Sequence, residues 1–437
     1  MKDQLSGKLM ATIVAISSAV GLGNLWKFPV LTGENGGAAF VLIYVLSSLI
    51  VGIPLLMAEY IIGRHTKTNL WDVYTSLKAS KYWRFLSGIS LLANFMMTTF
   101  YTVIVGWVYI YFFKAIKGDF SNPTLENLQG QFEQVTTGGI SFIAQSLLLI
   151  VIIFIIYKGV SNGIERTVRI LAPIFLVLLF AVFLNSLRLD GFGQAMDFLF
   201  SFDASAITPS VIISALGLAF FKLSIGTASM IMYGSYFTKE TNIPKTAATV
   251  AVADVGVSLL AGMALFPVVF TFGLSPEAGP SLLFNTVPLA FSSLPLGNLL
   301  TIAFFGLAAI VGTMAAVALI NVQFVVIKDK LKGSTLVKAI GLLLFSLTVS
   351  YLTMFPFSVF GEVVIGGKTL NDVFDYVSSN FLLPIAGVLI ALFVGFVLRK
   401  EVIQTEVGNS RMIKVWFFLI RYVVPIIIII VFINGIL

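Results

Sequence analysis

The sequence predicts an all-α integral membrane protein that crosses the bilayer eleven times, and three observations carry that expectation. Hydrophobic residues make up 58% of the 437 and charged residues 11%, too few polar groups to coat a soluble surface of that size. Apolar stretches close to the roughly 20 residues that span a bilayer as a helix recur along the whole length. The charges that do occur gather in the short segments between those stretches.

The eleven stretches lie at approximately 9–31, 39–63, 85–116, 140–157, 164–183, 208–237, 246–272, 296–326, 337–354, 380–398 and 415–436, within a single domain 1–437. The first lacks a small-residue cleavage site and is followed by further spans, so it is read as a span and not as a signal peptide. The formal charge of +7 could suggest a nucleic-acid binder, but its placement argues otherwise. Lys and Arg fill alternate loops, leaving little beyond Lys27, Lys114, Lys117, Arg188 and Lys368 on the other side, which also carries Glu126, Glu133, Asp190, Glu277 and Glu362. The bias of positive charge toward the cytoplasm places the N-terminus inside and the C-terminus outside. No nucleic-acid partner is expected; the partner is the lipid bilayer.

An enzyme is not expected either. There is no cysteine, and the single histidine, His65, lies in a basic loop. Gly21-Leu22-Gly23 falls inside a span with no preceding strand, so it is no dinucleotide fingerprint. No cofactor is implied.

Two spans look internally broken. The first contains Ser17-Ser18-Ala19-Val20-Gly21-Leu22-Gly23-Asn24 and the sixth Lys222-Leu223-Ser224-Ile225-Gly226-Thr227, small and polar residues at mid-membrane depth. Unwound backbone is tolerated there only where it lines a cavity or is buried in protein. Interrupted helices at matching positions of two inverted halves point to a transporter's central site; the alternative is glycines that merely permit close helix packing. The halves run at approximately 8–184 and 207–399, with an additional helix at 412–436.

The run Ala19-Val20-Gly21-Leu22-Gly23-Asn24-Leu25-Trp26-Lys27-Phe28-Pro29, followed by Glu34-Asn35-Gly36-Gly37, closely resembles the start of the neurotransmitter:sodium symporters, the family with the LeuT fold. Gly52-Ile53-Pro54-Leu55-Leu56 with Glu59 and Gly63-Arg64, then Gly163-Ile164-Glu165-Arg166, then the 278–284 stretch resembling an outer re-entrant loop, extend the resemblance in order to the last helix. It implies a bacterial inner-membrane amino-acid transporter working by alternating access. It maps Ala19, Phe221 and Ser224 onto contacts with the substrate backbone, and Tyr101 onto the carboxylate. Amide donors near Leu22 and Gly23, at a half-helix end, suit a carboxylate on physical grounds. Side-chain pocket positions map to Ser18, Met97, Phe221, Thr227, Ala315 and Leu319, mostly small or apolar, which favours a hydrophobic or aromatic amino acid.

The resemblance also implies gates. Outer closure maps onto Lys27 and Asp375, and inner closure onto Lys2, Ser235, Tyr236 and Asp329, with Leu5 where the family usually has tryptophan.

At the ion sites the sequence departs from the family. The first sodium is ringed in the family by the positions of Ala19 and Asn24, a helix-six hydroxyl and a helix-seven asparagine; here the last two are Lys222 and Asp254. The second uses carbonyls at Ser17, Val20 and Val311 plus two helix-eight hydroxyls; here those are Met314 and Ala315, or Thr313 and Met314 if the alignment slips by one. The chloride site of animal members looks absent, since Leu218 and Lys222 replace polar donors although Tyr44 and Ser258 remain. Sodium coupling is therefore expected to be weakened or lost, with Lys222 as a built-in cation paired with Asp254. A proton is the other candidate ion, with Glu59 as a carrier. Conventional sodium symport and a non-transporting amino-acid sensor on the same fold are the alternatives.

Overall fold

The structure, a computed structural model, describes residues 4–121, 123–273, 282–355, 357–361 and 363–436. Lys2 and most of the expected re-entrant loop lie outside them. Among the described residues, nine helices are long and apolar enough to cross a membrane: α3 (Ala38–Thr66), α4 (Lys81–Lys117), α5 (Ile140–Tyr157), α6 (Val160–Ser186), α9 (Ile243–Thr271), α10 (Gly297–Lys330), α11 (Thr335–Thr353), α12 (Leu370–Val397) and α13 (Arg411–Ile433). A tenth crossing is a broken pair, α1 (Lys8–Ala19) and α2 (Leu22–Glu34), bent by 55°. The sixth predicted span is different: α7 (Pro209–Lys222) and α8 (Ser229–Ser235) flank residues 223–228, and neither is long enough to cross alone. The only strands among the described residues are a two-residue hairpin, Val364–Ile365 with Lys368–Thr369.

Local chemistry sets the helix starts. Pro209 opens α7 behind Thr208, whose hydroxyl accepts the Val211 N–H at 3.3 Å, and Ser334 does the same for the Val337 N–H ahead of α11. α12 begins ten residues earlier than the hydropathy pattern indicated, because Thr369 and Asp372 form a capping box. α5 and α6 expose Leu147, Phe154, Val177 and Phe180 along their outer faces, where lipid replaces water as the solvent.

The centre is arranged for close approach. A Cβ on Gly63 of α3 would lie 1.9 Å from the Ile231 carbonyl oxygen, and one on Gly234 of α8 would lie 2.9 Å from Tyr60. Glycine on both sides lets the two backbones touch, which brings Glu59 of α3 against the break between α7 and α8. α10 runs along α4 and supplies the opposite wall.

Candidate functional site

Both breaks adopt conformations that no continuing helix allows. Val20 (φ −75°, ψ 107°) and Gly21 (φ −138°, ψ −165°) are extended between α1 and α2. Between α7 and α8, Ser224 (φ 53°), Gly226 (φ 83°) and Ala228 (φ 62°) are left-handed. Two of those three carry a Cβ, at a cost of about 1–3 kcal/mol each that the surroundings must offset. Several bonds do so. The Ser224 hydroxyl donates to the Ser18 carbonyl at 3.2 Å, Thr227 Oγ1 donates to the Ser224 carbonyl at 2.7 Å, and the Gly226 N–H donates to Glu59 Oε1 at 2.8 Å.

Tyr101 and Ala315 wall the first break. The Leu22 N–H donates to Tyr101 Oη at 3.1 Å, and a Cβ on Gly21 would lie 2.9 Å from that oxygen and 3.1 Å from Ala315 Cβ. A Cβ on Gly23 would lie 3.2 Å from the Phe221 ring and 3.1 Å from Lys222 Cγ, so the two breaks face each other. Ala19, Met97, Leu319 and the Ser18 side chain are buried. The sequence did not single out Asn94 and Gln323. Asn94 Nδ2 donates to the Thr227 carbonyl at 3.2 Å, and Gln323 Nε2 donates to Asn94 Oδ1 at 3.0 Å and to Thr98 Oγ1 at 2.9 Å. Their signal was there to read: amide side chains inside apolar spans, which need partners.

At the end of α7, Lys222 is completely buried. Its Nζ lies 3.2 Å from Asp254 Oδ2, donates to Tyr44 Oη at 2.6 Å and donates to Ser258 Oγ. The three N–H groups of an ammonium thus have three acceptors. Tyr44 Oη in turn donates to Asp254 Oδ2 at 2.5 Å. Asn24 joins the cluster to the first break, donating from Nδ2 to Asp254 Oδ1 at 2.8 Å while its Oδ1 accepts the Gly21 N–H at 3.0 Å. The ammonium also lies 4.4 Å from the centroid of the Tyr44 ring and 5.3 Å from that of Phe28. Asp254 is the partner expected for Lys222; Tyr44 and Ser258, expected only as remnants of a chloride site, are further partners of the lysine.

This donor set does not fit sodium at the first site: the helix-six position carries an ammonium instead of a hydroxyl, Asp254 already accepts from Lys222, and Asn24 Oδ1 already accepts the Gly21 N–H. At the second site, Ala315 faces Gly21. Thr313, two residues earlier on α10, points roughly 200° round the helix from it, sharing a hydrogen bond with Tyr109 Oη at 2.8 Å and donating to the Ala309 carbonyl at 2.8 Å. Thr313 therefore gives the break no hydroxyl, and Ser17 Oγ donates to its own helix at the Ile13 carbonyl, 2.9 Å away. Main-chain oxygens at Ser17, Val20 and Val311 remain, beside a buried Met314 that brings none. Among the described residues no three His, Asp or Glu side chains gather as metal ligands.

On either side of the breaks lie the residues expected at the two gates. Lys27 Nζ meets Asp375 Oδ1 at 2.6 Å and sits 3.8 Å from the Phe221 ring centroid, and Ser379 Oγ donates to Asp375 at 2.8 Å. Together they floor a cavity of about 530 Å³ that also contacts Trp26, Lys368 and Asp372. Toward the other face, the Leu5 N–H donates to the Tyr236 carbonyl at 3.2 Å and Asn321 Nδ2 donates to Tyr236 Oη at 3.0 Å. Ser235 and Asp329 line a cavity of about 200 Å³ there. Their bonds go elsewhere than to each other, Ser235 to the Met232 carbonyl and Asp329 to Asn69. Unforeseen was a clasp on the N-terminal segment: Ser6 donates to Glu165 from its N–H at 2.9 Å and its hydroxyl at 2.5 Å, and Arg169 holds the same carboxylate at 2.5 Å.

A family profile described as the sodium:neurotransmitter symporter family matches residues 2–127 and 119–437. The chain belongs to the sodium:neurotransmitter symporter family. It is 36% identical over 440 residues to an "uncharacterized sodium-dependent transporter YhdH" of Bacillus subtilis, covering 99% of this chain and 97% of the relative. A protein of Haemophilus influenzae, also named a sodium-dependent transporter, is 34% identical over 448 residues, covering 98% and 97%. The crystal structure of MhsT in complex with L-phenylalanine superposes with a TM-score of 0.93 at 36% identity over the full length of both chains. This symporter-family chain therefore has the LeuT fold and is a membrane-spanning transporter, not an enzyme.

Proposed function

We propose that this protein is a secondary transporter of hydrophobic or aromatic amino acids that works by alternating access, with the Lys222 ammonium standing where relatives hold their first sodium, so that transport proceeds without sodium. One observation carries the reading: the fully buried Lys222–Asp254 pair, 3.2 Å apart, with Tyr44 and Ser258 completing the ammonium's hydrogen bonds. A buried pair is costly unless its hydrogen bonds are met, and here they are met by residues that would otherwise face an ion. The substrate carboxylate docks at the Leu22 and Gly23 amides and the Tyr101 hydroxyl. Ala19, Phe221 and Ser224 contact its backbone, and Ser18, Met97, Thr227, Ala315 and Leu319 surround its side chain. The L-phenylalanine named in the MhsT structure supports an aromatic substrate.

In this reading the sixth stretch completes eleven crossings, arranged as repeats 8–184 and 207–399 with an extra helix at 412–436. The N-terminus lies in the cytoplasm of a bacterial inner membrane and the C-terminus outside. Lys27 and Asp375 close the outer side; the Leu5–Tyr236 contact, with Lys2, Ser235 and Asp329 nearby, closes the inner. Glu59, buried against Gly226, is the candidate carrier if a proton gradient drives uptake. The sodium-dependent names of relatives favour a second reading, ordinary sodium symport.

The test is counterflow of a panel of labelled amino acids in sodium-free proteoliposomes, with and without a pH gradient. Counterflow of phenylalanine or leucine but not of glutamate or lysine supports the substrate class, and stimulation by an inward proton gradient identifies the drive. No counterflow of any amino acid, with binding retained in a thermal-shift assay, would identify a sensor instead.

A further inference from the structure

The face on which α4 ends carries few cations, yet two of them, Lys114 and Lys117, sit on the rim of one groove between α4 and α5. The groove measures about 460 Å³, within the range of small-molecule sites. Its walls are apolar and face the bilayer: Phe113, Ile143, Leu147 and Val151 are each more than half exposed. Lys114 donates to Gln131 Oε1 of the surface helix Leu125–Thr137 at 2.8 Å, which fixes its ammonium at the mouth and leaves two N–H groups for another acceptor. Lys117 is exposed and makes no ion pair among the described residues. Asp119 stands on the same rim, near enough to Lys114 for their charges to interact.

The geometry points to a phospholipid site that holds phosphatidylethanolamine. An acyl chain fills the apolar groove, the phosphodiester lies on Lys114 and Lys117, and the primary ammonium of the headgroup meets Asp119. Two cations and one carboxylate at the mouth match a headgroup carrying one phosphate and one primary ammonium. They match phosphatidylglycerol less well, because it has no cation for Asp119, and phosphatidylcholine less well, because its quaternary ammonium has no N–H to give.

Native mass spectrometry of the full chain, released from detergent after stepwise delipidation and titration with each of the three lipids, tests the assignment. The wild type should retain phosphatidylethanolamine most strongly. Lys114→Gln with Lys117→Gln should lower its retention roughly thirtyfold, the scale expected for two surface lysines. Asp119→Asn should erase the preference over phosphatidylglycerol, and Leu147→Trp, on a lipid-facing position that folding tolerates, should expel the lipid by filling the groove. Equal retention of the three lipids by the wild type, or phosphatidylethanolamine retention unchanged in both the double variant and Leu147→Trp, would overturn it.

Discussion

Lys222 offers three protons and the fold supplies three acceptors for them, which leaves the lysine little freedom to act as anything but a fixed charge. Breaking one side of a buried pair strands the other, at a cost of about 3–5 kcal/mol. Lys222→Thr is therefore expected to lower the melting temperature in sodium-free detergent and, by restoring a hydroxyl among Asn24, Asp254 and Ser258, to regain it when sodium is added. Asp254→Asn should be destabilised as well but show no rescue by sodium, because the stranded charge is then a cation. Thermal-shift titrations of both variants with sodium and with choline check this. The pair itself was legible in the sequence, since the family resemblance put Lys222 and Asp254 at one ion site and an intramembrane lysine demands a counterion. The roles of Tyr44 and Ser258 were not, because hydroxyls on separate spans give no sequence signal until folding converges them.

At the scale of the elements, the breaks were visible as polar and small residues within apolar runs, and both appear where the pattern placed them. Hidden from the sequence were the long-range bonds that hold them open, which join residues more than a hundred positions apart, as Glu59 to Gly226 and Asn94 to Thr227 do. Gln323→Leu leaves Asn94 Oδ1 without its donor and should destabilise the protein by about 1–3 kcal/mol; a chemical-denaturation or thermal-shift comparison with Gln323→His, which keeps a donor, reads it. Outside the spans, Asp72 ties the loop after α3 to the end of α10 through Lys330 at 2.7 Å. Partial burial opposes ionisation there, but hydrogen bonds from Lys330 and Asn69 prevail and hold its carboxyl below the usual range. A depressed carboxylate contributes stability above its unfolded pKa of about 3.9 and loses it as pH falls through the folded value. Wild type and Lys330→Gln should accordingly differ slightly at neutral pH, by under about 1 kcal/mol, and converge in strong acid, as melting curves across pH would show.

Across the whole molecule, a cavity reaches down to the Lys27–Asp375 pair from one face and a smaller one lies beneath Tyr236 at the other, with the two breaks sealed between them. Opening alternates only if each closure is weak enough to release. Lys27 contributes a single point charge where an arginine fork would clamp more firmly, so Lys27→Ala should shift the resting population toward exposure on that face, read as faster labelling of a cysteine introduced at the buried Ser18 beside the first break. Ten of the eleven predicted spans coincide with apolar helices of membrane length among the described residues, the bent α1–α2 pair counted as one, because hydropathy acts locally. The sixth stretch escaped a simple count, its two halves each being too short, for the same reason that it is of interest: its backbone is unwound where the chemistry sits. The central claim is that the charge of the first ion site is built into the chain. The most direct measurement is the initial rate of labelled amino-acid uptake into proteoliposomes, with external sodium exchanged for choline at constant osmolarity, for the wild type and for Lys222→Thr. The account predicts a wild-type rate indifferent to sodium and a variant that transports only when sodium is present. A wild type that stops without sodium would contradict it and leave Lys222 as a structural ion pair.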